Sequence, residues 1–186
     1  MYQVRRNIFE TNSSSMHSLA ISSSSTAYLL TKEQELEAIE SFLRRDGRLD
    51  LKDMEMDFGW GWAVLDNFYD KLAYILADLV SEQDLADDEA NPDLEFILQA
   101  IDLPQVKGFR LPRGNIYDSR KPSVGSIDHQ SCGLISRYLA KQKDKGVTES
   151  EALHRLLFDS SMVIIIDNDN CPSSAEEDFH CTIIQS

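Results

Sequence analysis

The distribution of apolar and polar residues along the chain predicts five helices. The clearest apolar stripe runs through residues 66–81, where aliphatic and aromatic side chains recur at the three- and four-residue spacing of one helix face. Helix-capping signals predict three more helix starts, at Thr31, Asn91 and Thr148. The apolar spacing after Ser131 predicts a fifth helix that extends to residue 143.

Strands are predicted where apolar residues alternate or form a short run. Alternation over residues 49–58 predicts one or two strands, and the apolar run 162–167 predicts a buried strand. Shorter strands are predicted at 17–22, 108–111 and 179–184, the last of them forming an antiparallel pair with 162–167. Since strands and helices do not alternate regularly, we expect an α+β fold, with a mainly antiparallel sheet covered by several helices.

The size and composition of the chain predict one folded unit. With 186 residues it suits a single domain, residues 1–186, with a helical acidic region at about 31–102. Its three cysteines predict no disulfide framework, which is typical of a reducing compartment. The longest apolar run, residues 162–166, is too short to cross a bilayer. We therefore expect a cytoplasmic protein that does not bind membranes.

Charge is distributed unevenly along this acidic chain. The net charge is −14, and residues 32–102 alone carry 6 basic and 20 acidic side chains. Residues 103–155 instead carry 10 basic and 5 acidic side chains. A strongly acidic surface repels the nucleic-acid backbone, so we expect no direct binding to nucleic acid. The basic segment is the exception and predicts a local patch that attracts anions.

A polar stretch near the start of the chain is the first candidate site. Its candidate ligand-binding and acid–base residues are Arg6, Asn12, Ser13, Ser14, Ser15 and His17. Serine hydroxyls and successive backbone N–H groups in a turn can hold a phosphate or carboxylate, and a guanidinium matches phosphate oxygens in pairs. The imidazole is suited to proton transfer near neutral pH. The alternative is a polar turn whose side chains bind their own backbone.

A second candidate site precedes the predicted helix that follows residue 131. Asp128 and His129 come just before Ser131, the expected N-cap, and a helix N-terminus favours anions. Arg110 and Arg113 lie earlier in the same basic segment and add positive potential. The alternative is that Ser131 only caps the helix and that His129 is a surface residue.

The first polar stretch resembles a recurrent N-terminal signature. The residues that carry this resemblance are Phe9-Glu10-Thr11-Asn12-Ser13-Ser14-Ser15-Met16-His17-Ser18. Similar segments are typical of uncharacterised proteins of bacteriophages and related mobile elements, usually with another serine where Met16 stands here. The segment from Asp128 to Ser131 resembles part of the same pattern. The resemblance implies a phage product in the cytoplasm of a bacterial host, and it implies no particular reaction.

Taken together, the two candidate sites predict a polar pocket for a phosphate-bearing or nucleotide-like ligand. If the two segments meet, His17 and His129 are the acid–base candidates and Asp128 is the orienting carboxylate. The sequence leaves open whether the protein is an enzyme, and it identifies no cofactor. No metal site is predicted, because Cys171 and Cys181 lack the paired spacing of zinc ligands.

The main alternative is an acidic interaction protein that imitates nucleic acid. Such a protein would bind and inhibit a basic host protein through the carboxylates of residues 32–102. The densest acidic group in that region is formed by Asp84, Asp87, Asp88 and Glu89. Under this alternative the serine-rich stretch is purely structural.

Overall fold

The structure is a computed structural model of residues 1–186. It describes residues 15–22, 30–53, 57–58, 63–81, 85, 91–114, 119–127, 133–168 and 181–185, of which 15–22, 167–168 and 181–185 are described by their backbone only. The described part has an α+β fold, as predicted.

Five α-helices are present in the described residues. They are α1 (Lys32–Ile39), α2 (Phe68–Leu79), α3 (Pro92–Ile101), α4 (Leu134–Lys143) and α5 (Glu149–Phe158). The predicted starts at Thr31, Asn91 and Thr148 are confirmed, because each side chain accepts a hydrogen bond from a backbone N–H of the first helical turn. A short 3₁₀ helix, Glu40–Phe42, follows α1.

Eight strands are assigned to the described residues. They are β1 (Ser15–Ser22), β2 (Arg48–Asp50), β3 (Asp57–Phe58), β4 (Ala63–Leu65), β5 (Gly108–Arg110), β6 (Ser126–Ile127), β7 (Met162–Asn168) and β8 (Cys181–Gln185). The sequence pattern predicted neither β4 nor β6.

Four strands form an antiparallel sheet in the order β4-β7-β1-β8. The predicted pairing of the last two strands with each other is wrong, since β1 lies between β7 and β8 and pairs with both. Ser18, for example, is opposite Ile165 of β7 and Gln185 of β8. A strand from near the start of the chain therefore separates two strands that are neighbours in sequence.

The remaining strands form two parallel pairs, β2 with β5 and β3 with β6. These pairs depart from the mainly antiparallel arrangement that the sequence predicted. Parallel pairing needs a long crossover connection, here the segments that contain α2 and α3, and such long-range pairing leaves no local sequence signal.

The core lies between the sheet and the helices. Helix α4 contacts β1 and β8, and α5 contacts β7, while α2 packs against both of these helices. Side chains of β7 alternate between two clusters: Met162, Ile164 and Ile166 join the main core, whereas Val163 and Ile165 pack with Val64. Over residues 162–166, both faces of β7 are therefore buried. Within the described residues, no helix has the length and apolar character needed to cross a membrane.

Candidate functional site

A cavity of about 650 Å³ lies beside the parallel pair of β2 and β5. Among the described residues that line it, five are basic, one is acidic and four are apolar: Arg44, Arg48, Lys52, Arg110, Arg113; Asp46; Leu94, Phe109, Leu111 and Pro122. We call this the basic cavity. In a chain of net charge −14, such a group of cations around one opening is an exception to the overall charge.

A tight turn places Arg44 and Arg48 at the rim of the basic cavity. The N–H of Arg44 donates to the carbonyl of Arg48 over 2.9 Å, and the N–H of Gly47 donates to the carbonyl of Arg44 over 2.9 Å. Gly47 has φ +83°, a conformation that favours glycine. Its carbonyl accepts from the N–H of Lys107 over 2.8 Å, which fixes this turn against the start of β5.

Asp50 holds two arginine side chains in place. Its Oδ2 lies 2.7 Å from Nη1 of Arg44 and 3.2 Å from Nη1 of Arg110, so the two Nη1 atoms are at most about 5.9 Å apart. Desolvation favours the neutral Asp50 carboxyl, but the hydrogen bonds from Arg44 and the backbone of Lys52, with the charge of Arg110, outweigh it and lower the Asp50 pKa. The ionised carboxylate thus keeps two guanidinium groups close together.

The register of the parallel pair accounts for this arrangement. Asp50 is opposite Arg110, and Arg48 is opposite Gly108. A Cβ at Gly108 would lie 3.9 Å from Cγ of Arg48, so the stem of Arg48 runs past a position without a side chain. The backbone N–H of Arg48 donates to Oδ1 of Asp46 over 3.2 Å, but in the part of the chain that the structure describes the Arg48 guanidinium has no carboxylate partner. Its charge is therefore available to a ligand.

Arg113 enters the cavity from the segment that follows β5. It forms an antiparallel bridge with Pro122, and its guanidinium donates to the carbonyl of Arg120. The N–H of Ser123 also donates to the carbonyl of Pro112 over 2.9 Å. These contacts fold the segment back on itself and position Arg113 at the cavity.

The structure places two of the predicted ligand-binding residues at this cavity, Arg110 and Arg113. Ser15 was predicted in a polar stretch that precedes a strand beginning at His17, and the structure places both residues in the extended backbone of β1, opposite Asn168 and Ile166. Strand β1 begins at Ser15, two residues earlier than predicted, because this segment pairs with β7. The other predicted site residues lie outside the described residues: Arg6, Asn12, Ser13, Ser14, Asp128, His129 and Ser131.

The N-terminus of α4 differs from the predicted anion site. The helix begins at Leu134 with Gly133 as N-cap, three residues later than the start predicted at Ser131. Asp78 of α2 accepts hydrogen bonds from the N–H groups of Gly133 over 2.6 Å and Ile135 over 2.8 Å. Burial raises the pKa of Asp78, while these bonds oppose the shift. A carboxylate of the protein therefore already binds the free N–H groups of this helix end.

An ion network around the buried Glu35, which the sequence pattern did not reveal, connects α1, α3 and α5. Nδ1 of His154 lies 2.8 Å from the carbonyl of Ala100 and must carry the proton there, because a carbonyl can only accept a hydrogen bond. The other ring nitrogen, Nε2, lies 2.9 Å from Oε1 of Glu35. Glu35 is 2% exposed, and its Oε2 lies 3.0 Å from Nζ of Lys32. Lys32 also pairs with Asp102 over 2.9 Å. The network joins three helices, and its four charged or polar side chains largely satisfy one another.

A buried lysine is a second feature that the sequence pattern did not reveal. Lys71 is 1% exposed, and its Nζ donates to the carbonyl of Asp159 over 2.9 Å. Burial lowers the pKa of Lys71 to about 8, although the charges of Asp159 and Asp66 oppose the shift. Lysine is rarely buried, and the position of Lys71 within the apolar stripe of α2 is the only sequence signal that could have indicated its burial.

The chemistry available at the basic cavity is the binding and orientation of an anion. Guanidinium and ammonium groups donate hydrogen bonds and positive charge, and arginine remains protonated at any physiological pH. Across the described ranges, no three His, Cys, Asp or Glu side chains are grouped closely enough to hold a metal ion.

Comparison of the chain with protein-family models, with curated proteins and with solved structures gave no significant match.

Proposed function

We propose that this protein binds a phosphate-bearing ligand in the basic cavity. The observation that supports the proposal is the convergence of five cationic side chains on one cavity of an otherwise acidic protein. Phosphate oxygens accept charge-assisted hydrogen bonds from arginine, often in pairs, and such bonds are stronger than neutral ones. Arg44 and Arg110 share the carboxylate of Asp50, so two guanidinium groups, each with further N–H donors, lie within reach of one anion.

The proposal extends to the setting of the protein and to catalysis. We infer a cytoplasmic setting, supported by the low cysteine content. A phage origin rests on the resemblance of the N-terminal segment alone. A catalytic role for His17, Asp128 and His129 stays a prediction that depends on those segments approaching each other. Inhibition of a basic host protein is the alternative function, and its predicted acidic group, Asp84, Asp87, Asp88 and Glu89, lies outside the described residues.

The test compares two neighbouring arginines in a calorimetric titration with inorganic pyrophosphate. Arg48 lines the basic cavity, whereas Arg45 lies in the same turn and does not line it. The Arg48→Gln variant removes a charge-assisted hydrogen bond worth about 1.5–3 kcal/mol, so the dissociation constant rises by about 10-fold or more. The Arg45→Gln variant removes the same net charge, and we expect less than about a threefold change.

Two outcomes would contradict the proposal. One is the absence of pyrophosphate binding by the unaltered protein at millimolar concentration. The other is an equal loss of affinity in the Arg48→Gln and Arg45→Gln variants, which would mean that the anion responds to net charge and not to the basic cavity. Repeating the titration at higher salt adds a check, because screening weakens contacts between exposed charges.

A further inference from the structure

The basic cavity has an apolar wall that phosphate binding alone does not explain. Leu94, Phe109, Leu111 and Pro122 line the cavity and are half-buried. Leu94, Phe109 and Leu111 also pack against the main core, so the fold itself fixes most of this wall. Apolar surface in contact with water is unfavourable in proportion to its area. A ligand that covers the wall therefore binds more tightly than one that contacts only the cations.

The apolar and cationic residues of the cavity lie close together along the chain. Phe109 directly precedes Arg110, and Leu111 lies two residues before Arg113. Because both kinds of residue line one cavity, a single small molecule can contact them together. The cavity volume, about 650 Å³, lies in the range typical of pockets for small organic ligands. These features favour a compact molecule with one apolar ring system and one phosphate.

A nucleotide has the chemistry that matches both parts of the cavity. Its base is flat and stacks on aromatic rings and on guanidinium planes, and its phosphate suits converging arginines. Resting on the proposed function, we propose that the ligand is a mononucleotide whose base lies against Phe109 and whose phosphate binds Arg44 and Arg48. A longer nucleic acid is disfavoured, because the net charge of −14 repels a polyanion that extends beyond the cavity.

The decisive experiment compares ligands that share one phosphate and differ in the base. Calorimetric titrations of the full chain use adenosine 5′-monophosphate, uridine 5′-monophosphate, ribose 5-phosphate and inorganic phosphate at one salt concentration. Stacking of a base on an aromatic side chain predicts that adenosine 5′-monophosphate binds about tenfold more tightly than ribose 5-phosphate. Uridine 5′-monophosphate has a smaller base, and we expect an intermediate affinity.

A pair of phenylalanine variants locates the base. In Phe109→Leu we expect the tenfold advantage of adenosine 5′-monophosphate to fall to less than about threefold, with the affinity for ribose 5-phosphate unchanged. Phe96→Leu is the matched control, because Phe96 is also half-buried against the core and does not line the cavity. That variant should keep the full advantage of the nucleotide.

The outcomes separate this inference from the proposed function. If ribose 5-phosphate binds as tightly as adenosine 5′-monophosphate, the nucleotide assignment is wrong and phosphate binding stands. If no phosphate compound binds, both are wrong. The comparison of ligands on the unaltered protein needs no variant, so it decides the question even if Phe109→Leu fails to fold. An unchanged nucleotide advantage in a folded Phe109→Leu variant would overturn the placement of the base.

Discussion

Replacing Lys71 by methionine tests how strongly the protein interior disfavours a buried ammonium group. Lys71 lies on α2 with 1% exposure, and its pKa is lowered from 10.5 to about 8, chiefly by burial. A shift of one pKa unit corresponds to about 1.4 kcal/mol. The charged form of Lys71 therefore destabilises the folded state by about 3 kcal/mol relative to an ammonium in water. Methionine has a similar length and no charge.

The lowered pKa predicts a particular dependence of stability on pH. Below pH 8 the folded and the unfolded chain both hold the Lys71 proton, so this group adds no slope. Between pH 8 and 10.5 the folded chain has lost the proton and the unfolded chain retains it. Since the unfolded state then binds more protons, the free energy of unfolding rises with pH, by about 1.4 kcal/mol per unit. From pH 7 to 10 the gain from Lys71 is about 2.5 kcal/mol.

The assay is urea unfolding followed by circular dichroism at pH 7, 8, 9 and 10, with a reductant present. The free energy of unfolding of the Lys71→Met variant is subtracted from that of the unaltered protein at each pH, which removes the titration of all other groups. We expect the difference to grow in favour of the unaltered protein above pH 8. Lys145→Met is the control, since Lys145 is exposed, and its difference should stay flat. A flat difference for Lys71→Met as well would refute the reasoning.

Three further substitutions test the packing, each by urea unfolding. Gly47→Ala should lower the free energy of unfolding clearly more than Gly146→Ala. Both glycines have φ near +80°, a conformation that costs about 1–2 kcal/mol in a residue with a side chain, but of the two only Gly47 would bring its Cβ against a carbonyl, at 2.8 Å. Equal losses would contradict this. Asp78→Ala should cost about 1–2 kcal/mol by uncapping α4, and an unchanged midpoint would contradict that role. Glu35→Gln should cost about 1–3 kcal/mol, because Glu35 is the buried carboxylate of the ion network, whereas the exposed Glu37→Gln should cost nearly nothing; similar losses would contradict this.

Local signals made most helices predictable from the sequence. Three helix starts depend on a hydrogen bond between a capping side chain and a backbone N–H two or three residues further on: Thr31, Asn91 and Thr148. The start of α4 was misplaced because its cap comes from elsewhere in the chain: Asp78 binds the N–H groups that Ser131 was expected to cap. No window of sequence around residue 131 contains that information.

The candidate site could be predicted only in part for the same reason. Arg110 and Arg113 were identified because they belong to a basic segment with few acidic residues. Arg44 and Arg48 were not identified, since they lie within the most acidic region of the chain, about 60 residues before Arg110 and Arg113. Only the parallel pairing of β2 with β5 brings these residues together, and long-range pairing has no local sequence pattern.

The arrangement of charge in the folded chain supports the proposal that the basic cavity binds an anion. Four of the six basic residues in 32–102 lie between residues 44 and 52, and folding brings three of them, Arg44, Arg48 and Lys52, into one cavity with Arg110 and Arg113. Bringing like charges together is unfavourable, and here Asp50 pairs with Arg44 and Arg110, while Lys52 pairs with Asp53 over 3.4 Å. A bound anion would offset the repulsion that remains and would stabilise the folded state by mass action. Among the described residues the guanidinium of Arg48 has no carboxylate partner, so it is the cation at which we expect a bound anion to add most to the stability of the folded chain.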